Sequence, residues 1–262
     1  MKPTGHLPRK RFGQNFLQND GVIQAIAKAI APCDSDHIVE IGPGQGALTD
    51  AIIHSGCKLD AVELDRDLMT VLLASFSIYP GFTLHSADAL TFDFKQLQEN
   101  GECLRVIGNL PYNISTPLIF KLLESTAIIQ DMHFMLQLEV VQRLAAQPGS
   151  KHWGRLGIMA QYDCDVSLLF EVPPEAFFPP PKVQSAIVRL VPKTPAQKPQ
   201  CARHKLAKVV QLAFAQRRKT LRNNLKGVFD DASLTTLGID PGCRAETLTL
   251  DTFVTLANQL AD

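Results

Sequence analysis

The sequence predicts an α/β protein, a mostly parallel sheet with crossover helices followed by a small, basic, all-helical domain. Three observations carry this. From residue 37 to about 138, short β-rich runs alternate with helical patterns, as a parallel sheet with crossover helices requires. Residues 191–200, VPKTPAQKPQ, hold three prolines in ten positions and break the chain, because proline lacks an N–H donor and fixes φ. Beyond them Leu206, Val209, Val210, Ala213 and Phe214 follow the spacing of an amphipathic helix, with Lys205, Lys208 and Arg217 away from the centre of the stripe.

The elements follow in order. The expected strands are HIVEI (37–41), KLDAVEL (58–64), FTLH (82–85), LRVIGN (104–109) and MHFMLQ (132–137), with helices near 47–55, 66–77 and 116–125. Two later runs, QYDCDVSLLF and KVQSAIVRLV, flank a proline-rich turn and are expected to complete the sheet as an antiparallel pair. The chain has 262 residues. At ~150 residues per domain that allows one large domain and one small one. The expected division is 1–190 for the α/β domain, 191–200 for the linker and 201–262 for the helical domain.

With 45% hydrophobic and 20% charged residues, the chain can bury a sizeable core, which a disordered chain cannot. No run reaches the ~18 consecutive apolar residues of a membrane span, and the basic N-terminus lacks the apolar run of a signal peptide. A cytoplasmic mature chain without membrane partners is expected. The six cysteines are far apart in sequence and the seven histidines show no i, i+4 pair, so reduced thiols and no metal site are expected.

Net charge is zero, yet its distribution is not uniform. Residues 20–175 hold 9 basic and 20 acidic side chains, whereas residues 176–229 hold 12 basic and no acidic ones. The acid-free span contains Arg217, Arg218, Lys219, Arg222 and Lys226, a cluster able to neutralise phosphates and release their counterions. The alternative is a solvated helical face.

The segment from Val39 to Thr49 reads as a strand ending in a glycine-rich turn that opens a helix. Gly42, Gly44 and Gly46 permit a tight turn and close approach of the backbone to a ligand, and free amides at the helix start favour an anionic group. Glu63 follows Gly42 by twenty-one residues at the end of the second run, where doubly wound folds place a ribose-binding carboxylate. The G-x-G-x-G spacing favours S-adenosylmethionine over a dinucleotide, for which G-x-G-x-x-G is the rule. Asp88, after the third run, is a candidate acceptor for an adenine amino group, with a helix cap as its alternative.

Asn109-Leu110-Pro111-Tyr112 directly follows the fourth run, at the sheet edge where open α/β folds bind ligands. Adenine N6 is a poor nucleophile because its lone pair is delocalised into the ring. The Asn109 side-chain oxygen and the Leu110 carbonyl, both accepting from the amino hydrogens, would free that lone pair to face a methyl donor. Pro111 stiffens the turn and Tyr112 offers a stacking face for an extruded base. An ordinary strand-end turn is the alternative. Phe177 and Phe178, before Pro179-Pro180-Pro181-Lys182, are candidates for a second stacking face, with core packing as the alternative for either.

These residues, together with RKRFGQNFL, VEIGPGQGALT, VELDRDL, RVIGNLPYNISTPLIFKLL, HFMLQLEVVQRLAA, FFPPPKVQSAIVRLVP and FAQRRKTLRNNL, resemble the bacterial small-subunit ribosomal RNA adenine dimethyltransferases, the KsgA/RsmA family. The resemblance runs from about residue 9 to 250, and it implies a class I S-adenosylmethionine-dependent methyltransferase fold with a small helical C-terminal domain. It implies transfer of four methyl groups to N6 of two adjacent adenosines in a hairpin near the 3′ end of 16S ribosomal RNA, within an assembling small (30S) subunit, with S-adenosylhomocysteine as product. By motif, Asn15, Leu17, Gly42, Gly44, Glu63, Asp88 and Asn109 would contact the cofactor. Asn109, Leu110, Pro111, Tyr112 and Phe177 would hold the reacting base, and Arg217, Arg218, Lys219 and Arg222, in the QRRKTLRNNL helix, would face phosphates. A monomer is expected. One departure is Trp153-Gly154-Arg155-Leu156-Gly157, where many relatives have Tyr-Gly-Arg-Leu-Ser. Two other readings remain at this point: a 23S ribosomal RNA adenine-N6 methylase of the macrolide-resistance type, and a non-catalytic assembly factor that keeps the fold.

Overall fold

The computed structural model describes residues 14–99 and 101–260. A short strand β1 (Phe16–Leu17) leads into helix α1 (Asp20–Ile30), which starts where the Asn19 side chain accepts from the Val22 N–H at 3.0 Å. The alternation then runs β2 (His37–Ile41), α2 (Ala47–Ile53), β3 (Lys58–Glu63), α3 (Arg66–Phe76), β4 (Phe82–Ser86), β5 (Leu104–Asn109), α4 (Ser115–Leu123) and β6 (Ile129–Gln137). All five strands and three helices read from the first half of the sequence are present, with ends shifted by a few residues.

The strands form a seven-stranded sheet ordered β4-β3-β2-β5-β6-β9-β7, in which β7 is Cys164–Val172 and β9 is Ser185–Pro192. The pairs β3–β4, β2–β3, β2–β5 and β5–β6 are parallel, and β9 runs antiparallel to β6 with Gln137 opposite Ser185. The order reverses between β2 and β5, so right-handed crossovers put α2 and α3 on one face and α4 on the other. A crevice opens at that reversal, beyond the carboxyl ends of the strands, which is where such sheets bind ligands. Ile23, Ile26 and Ile30 of α1 and Leu48 and Ile52 of α2 share one buried cluster with Ile38, Ile107, Met135 and Ile187 of the sheet. Each fully buried side chain of this kind contributes about 1.5 to 3 kcal/mol.

Both late runs join the sheet, as expected. The QYD of the first ends a helix, α6 (Arg155–Asp163), and the second forms β9, which lies between β6 and β7. Burial explains the insertion: Ala186, Ile187, Val188 and Leu190 are all buried, as a strand covered on both faces requires, while β7 has mostly intermediate or exposed positions and lies at the sheet's edge. Helix α5 (Leu138–Leu144) and a small ribbon of β1 paired antiparallel with β8 (Phe177–Phe178) were not legible in the sequence.

The chain forms two compact units, one from residues up to Val141 together with Ser167–Pro192, the other from Gln142–Val166 together with Lys193 onward. The division therefore differs from the contiguous 1–190, 191–200 and 201–262: the second unit begins again close to the proline-rich segment, but it also takes in Gln142–Val166. Within that unit Asp163, which is buried, accepts from Lys198 at 3.0 Å and Arg203 at 2.9 Å, and this fastens α6 to the start of α7 (Arg203–Ala213). Trp153 is buried and donates its Nε1–H to the Leu248 carbonyl at 2.8 Å. Helices α8 (Leu221–Asn224), α9 (Asp231–Thr236) and α10 (Leu250–Asn258) complete the unit, with Leu206, Val209, Val210 and Ala213 of α7 buried as the stripe predicts. Among the described residues no helix is long and apolar enough to cross a membrane.

Candidate active site

The crevice is one cleft in the first unit, with about 1390 Å³ of space between its atoms, part of it open to solvent. Its walls come from the segment Gln14–Leu17, the loop after β2, the ends of β3 and β4, and the turn after β5. Asn15, Leu17, Gly42, Gly44, Glu63, Asp88, Asn109, Leu110, Pro111 and Tyr112 all line it. Of these five stretches, four follow the carboxyl ends of parallel strands, and Gln14–Leu17 is joined to them by the bond from Asn109 to Asn15.

The glycine loop has a steric cause. Gly42, Gly44 and Gly46 all have positive φ, at 67°, 61° and 83°. At Gly46 a Cβ would lie 2.5 Å from Cε2 of Phe76, so only glycine lets α2 start against α3. At Gly44 a Cβ would meet the Phe16 ring at 3.2 Å, which places that ring over the loop. The segment carrying Phe16 is tied down on both sides: Gln14 donates to Asp65 at 3.0 Å, and the Asn109 amide donates to the Asn15 carbonyl at 3.0 Å.

Glu63 is buried and accepts from the backbone N–H groups of Leu64 and Asp65 at 2.8 Å each and of Gly44 at 3.3 Å. Burial raises its carboxyl pKa against those donors. Asp88 accepts from the Leu90 N–H through Oδ1 at 2.9 Å, a tight turn that leaves its second oxygen toward other partners. Asn109 is similarly divided, since its Nδ2 is committed to Asn15 while its Oδ1 keeps its acceptor capacity. The Leu110 N–H bonds the Met135 carbonyl at 3.2 Å, and the Tyr112 hydroxyl shares a 2.7 Å hydrogen bond with Ser185 Oγ on β9. That bond pins the hydroxyl end of the ring, and Tyr112 lines the cleft. Burial raises the Tyr112 pKa, so the phenol stays protonated.

Phe177 is not among the residues that line the cleft: it is 4% exposed, pairs with Leu17 and packs within the buried apolar cluster. Alternation along β8 turns its neighbour the other way, and Phe178 is 51% exposed. Glu40 and His133, which sequence reading passed over, also line the cleft. Glu40 is buried, accepts from Thr49 Oγ1 at 2.6 Å, and has a carboxyl pKa raised to about 7, chiefly by burial. A carboxylate in the middle of the apolar run HIVEI was the available signal. Neither ring nitrogen of buried His133 has a hydrogen-bond partner among the described residues, Asp131 Oδ1 lies 3.8 Å from its Nδ1, and burial lowers its pKa to about 4.

The cleft suits a nucleoside cofactor on the chemistry of its donors and acceptors. Carboxylates at Glu63 and Asp88 flank an apolar wall of Ile41, Val62, Leu64, Leu68 and Ala89, matching ribose hydroxyls, an amino group and a purine face.

In the second unit, the four cations assigned to phosphates are exposed, but the helix expected for QRRKTLRNNL is interrupted. Helix α7 stops at Ala213, where the Asn224 side-chain amide donates to the carbonyls of Ala213 at 2.6 Å and Gln216 at 3.1 Å. Arg217, Arg218 and Lys219 therefore lie on the turn between α7 and α8, and Arg222 lies on α8. Tertiary structure also returns acids to the acid-free span: Arg222 pairs with Asp231 at 2.7 Å, and Arg217 lies 3.5 Å from Glu246 and bonds the Lys151 carbonyl.

A family model described as ribosomal RNA adenine dimethylase matches residues 5–262. Ribosomal RNA small subunit methyltransferase A of Saccharophagus degradans is 58% identical over 258 residues, covering 98% of this chain and 96% of that protein. The protein of the same description from Pseudomonas aeruginosa is 56% identical over 257 residues, with 98% and 96% coverage. Among solved structures, a dimethyladenosine transferase from Plasmodium falciparum matches with a TM-score of 0.74 at 26% identity, over 92% of this chain and 95% of that one. The 23S rRNA methyltransferase ErmE matches with a TM-score of 0.73 over 94% of this chain and 99% of that one, and at 24% identity it shows the shared fold alone.

Proposed function

The chain belongs to the ribosomal RNA adenine dimethylase family, and on that premise we propose that it dimethylates N6 of two adjacent adenosines in a hairpin near the 3′ end of 16S ribosomal RNA. The substrate is the RNA within the small subunit or its precursor, the protein acts as a cytoplasmic monomer, and four methyl groups are transferred in all. When bound, S-adenosylmethionine supplies each methyl from its sulfonium: the S–CH3 bond breaks as the N6–CH3 bond forms, and S-adenosylhomocysteine leaves.

Glu63 accepts from the ribose hydroxyls and Asp88 from the adenine amine of the cofactor, with Gly42, Gly44, Asn15 and Leu17 shaping the space around it. Asn109 Oδ1 and the Leu110 carbonyl accept the two N6 hydrogens of the target base in the first transfer, and one of them accepts the single remaining hydrogen in the second, which turns the N6 lone pair out of conjugation. The bonds from Asn109 Nδ2 to Asn15 and from the Leu110 N–H to Met135 keep both acceptors in place before the base arrives, so orientation supplies much of the acceleration. Pro111 stiffens the turn, and Tyr112, anchored by Ser185, stacks on the extruded base. The N6 cation formed on attack is acidic and gives its proton to water, so no strong general base is required. Arg217, Arg218, Lys219 and Arg222 contact phosphates.

The observation that carries this reading is the half-committed Asn109 amide, in one cleft with the glycine loop, Glu63 and Asp88. The test is incubation of unmodified small subunits, and in parallel of unmodified large subunits, with labelled S-adenosylmethionine, followed by nucleoside identification and mapping. Label in N6,N6-dimethyladenosine at adjacent positions of 16S RNA is expected. Label in 23S RNA instead would favour the macrolide-resistance type, and no incorporation would favour an assembly factor.

A further inference from the structure

The turn that carries Asp88 is held from outside the cleft. Lys121, in the last turn of α4, sends its ammonium to the carbonyl oxygens of Ala89 at 3.1 Å and Phe92 at 2.5 Å. The same ammonium lies 5.3 Å from the centroid of Phe94, whose ring meets that of Phe92 edge-on at 5.2 Å. The Ala89 carbonyl belongs to the same peptide group as the Leu90 N–H, and that N–H is the donor to Asp88 Oδ1 at 2.9 Å. One peptide dipole thus links ammonium to carboxylate, in the series Nζ–H to O=C, then N–H to Oδ1. Hydrogen bonds in series polarise one another, so the ammonium makes the Leu90 amide a stronger donor and holds the carboxylate by one oxygen. The other oxygen is left for a ligand, and Ala87, Asp88 and Ala89 form that part of the cleft wall.

We infer that Lys121 is a positioning residue for purine specificity: acting through the Ala89–Leu90 peptide, it fixes Asp88 to accept a hydrogen bond from the exocyclic amine of the cofactor's adenine. The inference rests on the role proposed above for Asp88. Lys121 lies behind the turn and acts on the cofactor only through it. Burial lowers its pKa, with Asp93 and Asp88 opposing, which places its charge within electrostatic reach of the carboxylate. If Lys121 merely braced the fold, its removal would weaken every ligand of the cleft alike. Positioning confines the effect to ligands that carry the amine.

Two ligands separate these cases: S-adenosylhomocysteine, and its inosine analogue, in which an oxo group replaces the amine. Calorimetric titration of the full chain should show wild type preferring the first by about 10- to 100-fold, the range for one hydrogen bond to a charged group. Lys121→Met should lower affinity for S-adenosylhomocysteine by roughly 5- to 10-fold and for the inosine analogue by less than about 2-fold, the difference expected when one charged hydrogen bond is misdirected. Lys121→Arg, which keeps the charge, should recover most of the preference. Lys121→Gln, which keeps a donor, serves if thermal denaturation shows that Lys121→Met does not fold. Equal losses for both ligands would overturn the inference. If Asp88→Ala abolishes the preference while Lys121→Met retains it, Lys121 has no such role and the reading of Asp88 stands. If Asp88→Ala leaves the wild-type preference intact, both fall together.

Discussion

The two ends of the same sheet treat their polar groups in opposite ways. At the amino end, Arg105 of β5 is saturated by the fold: it makes paired 3.0 Å bonds to both oxygens of Asp131, and reaches Asp36 at 2.7 Å and the Ile30 carbonyl at 2.6 Å. It thereby closes the C-terminus of α1, where the last carbonyls lack helical partners. At the carboxyl end, Asn109, only four residues along the same strand, spends its donor on Asn15 and keeps its acceptor, and Asp88 commits one oxygen to its own turn. A fully satisfied polar group stabilises; one satisfied on a single side is oriented and still able to bind. Strand β5 carries one of each, which separates the part of the molecule that holds the sheet from the part that acts.

The contrast is broken most severely at the saturated end. Arg105→Ala leaves half-buried Asp36 without its cation and buried Asp131 with only the more distant Arg189, at 3.5 Å, and should destabilise the protein by about 3 kcal/mol, measured by denaturant unfolding. The molecules still folded should keep their turnover and cofactor affinity. A fall in turnover larger than the fall in folded protein would show that the amino end does more than hold the sheet. Asn109→Ala is the converse case: turnover should fall by about 100-fold, the scale of a misplaced reacting group, with thermal stability and RNA affinity nearly unchanged. Unchanged turnover would refute its assigned role.

A third test uses acidity. Glu40 lines the cleft yet is wholly buried, with its pKa raised to about 7 from the ordinary 4.5. A group raised in the folded state contributes stability that is complete below the unfolded pKa and lost as pH rises through the folded one. Glu40→Gln should therefore gain on wild type between pH 4.5 and 7, by on the order of 3 kcal/mol at the upper end. His133, lowered to about 4, works oppositely, its contribution being present above the unfolded value of 6.5 and lost as pH falls toward 4. The difference between variant and wild type, rather than the wild-type curve, isolates Glu40. A flat difference would mean that Glu40 is charged at no cost in the folded state.

The smallest effect is expected in the second unit. Arg217 and Arg222 already face Glu246 and Asp231, whereas Arg218 and Lys219 are exposed and make no ion pair among the described residues. Replacing Arg218 and Lys219 by Ala should reduce the slope of log affinity for RNA against log salt by about 1.4 to 1.8, at ~0.7 to 0.9 for each phosphate that is no longer neutralised. Replacing Arg217 and Arg222 should change it less. An unaltered slope in both would move the RNA surface elsewhere.

What the sequence determined by itself was local in nature. Strand and helix periodicity, the positive-φ glycines of the loop after β2, the carboxylate at the end of β3 and the tetrad after β5 are properties of consecutive residues, and parallel topology sends all of these segments to one edge. The insertion of β9 between β6 and β7, the placement of Gln142–Val166 in the second unit, and the acids facing Arg217 and Arg222 depend on partners many residues away. So do the opposite fates of Phe177 and Phe178, which are identical in type and adjacent in sequence: pairing with Leu17 and Phe16 decides which ring enters the core. The same holds for Lys121, whose place behind Asp88 is set by the packing of α4 and by no pattern around it. Periodicity reports which face of an element is apolar; only the folded chain fixes what stands against that face, because the free energy of an interaction belongs to the pair and not to either residue alone.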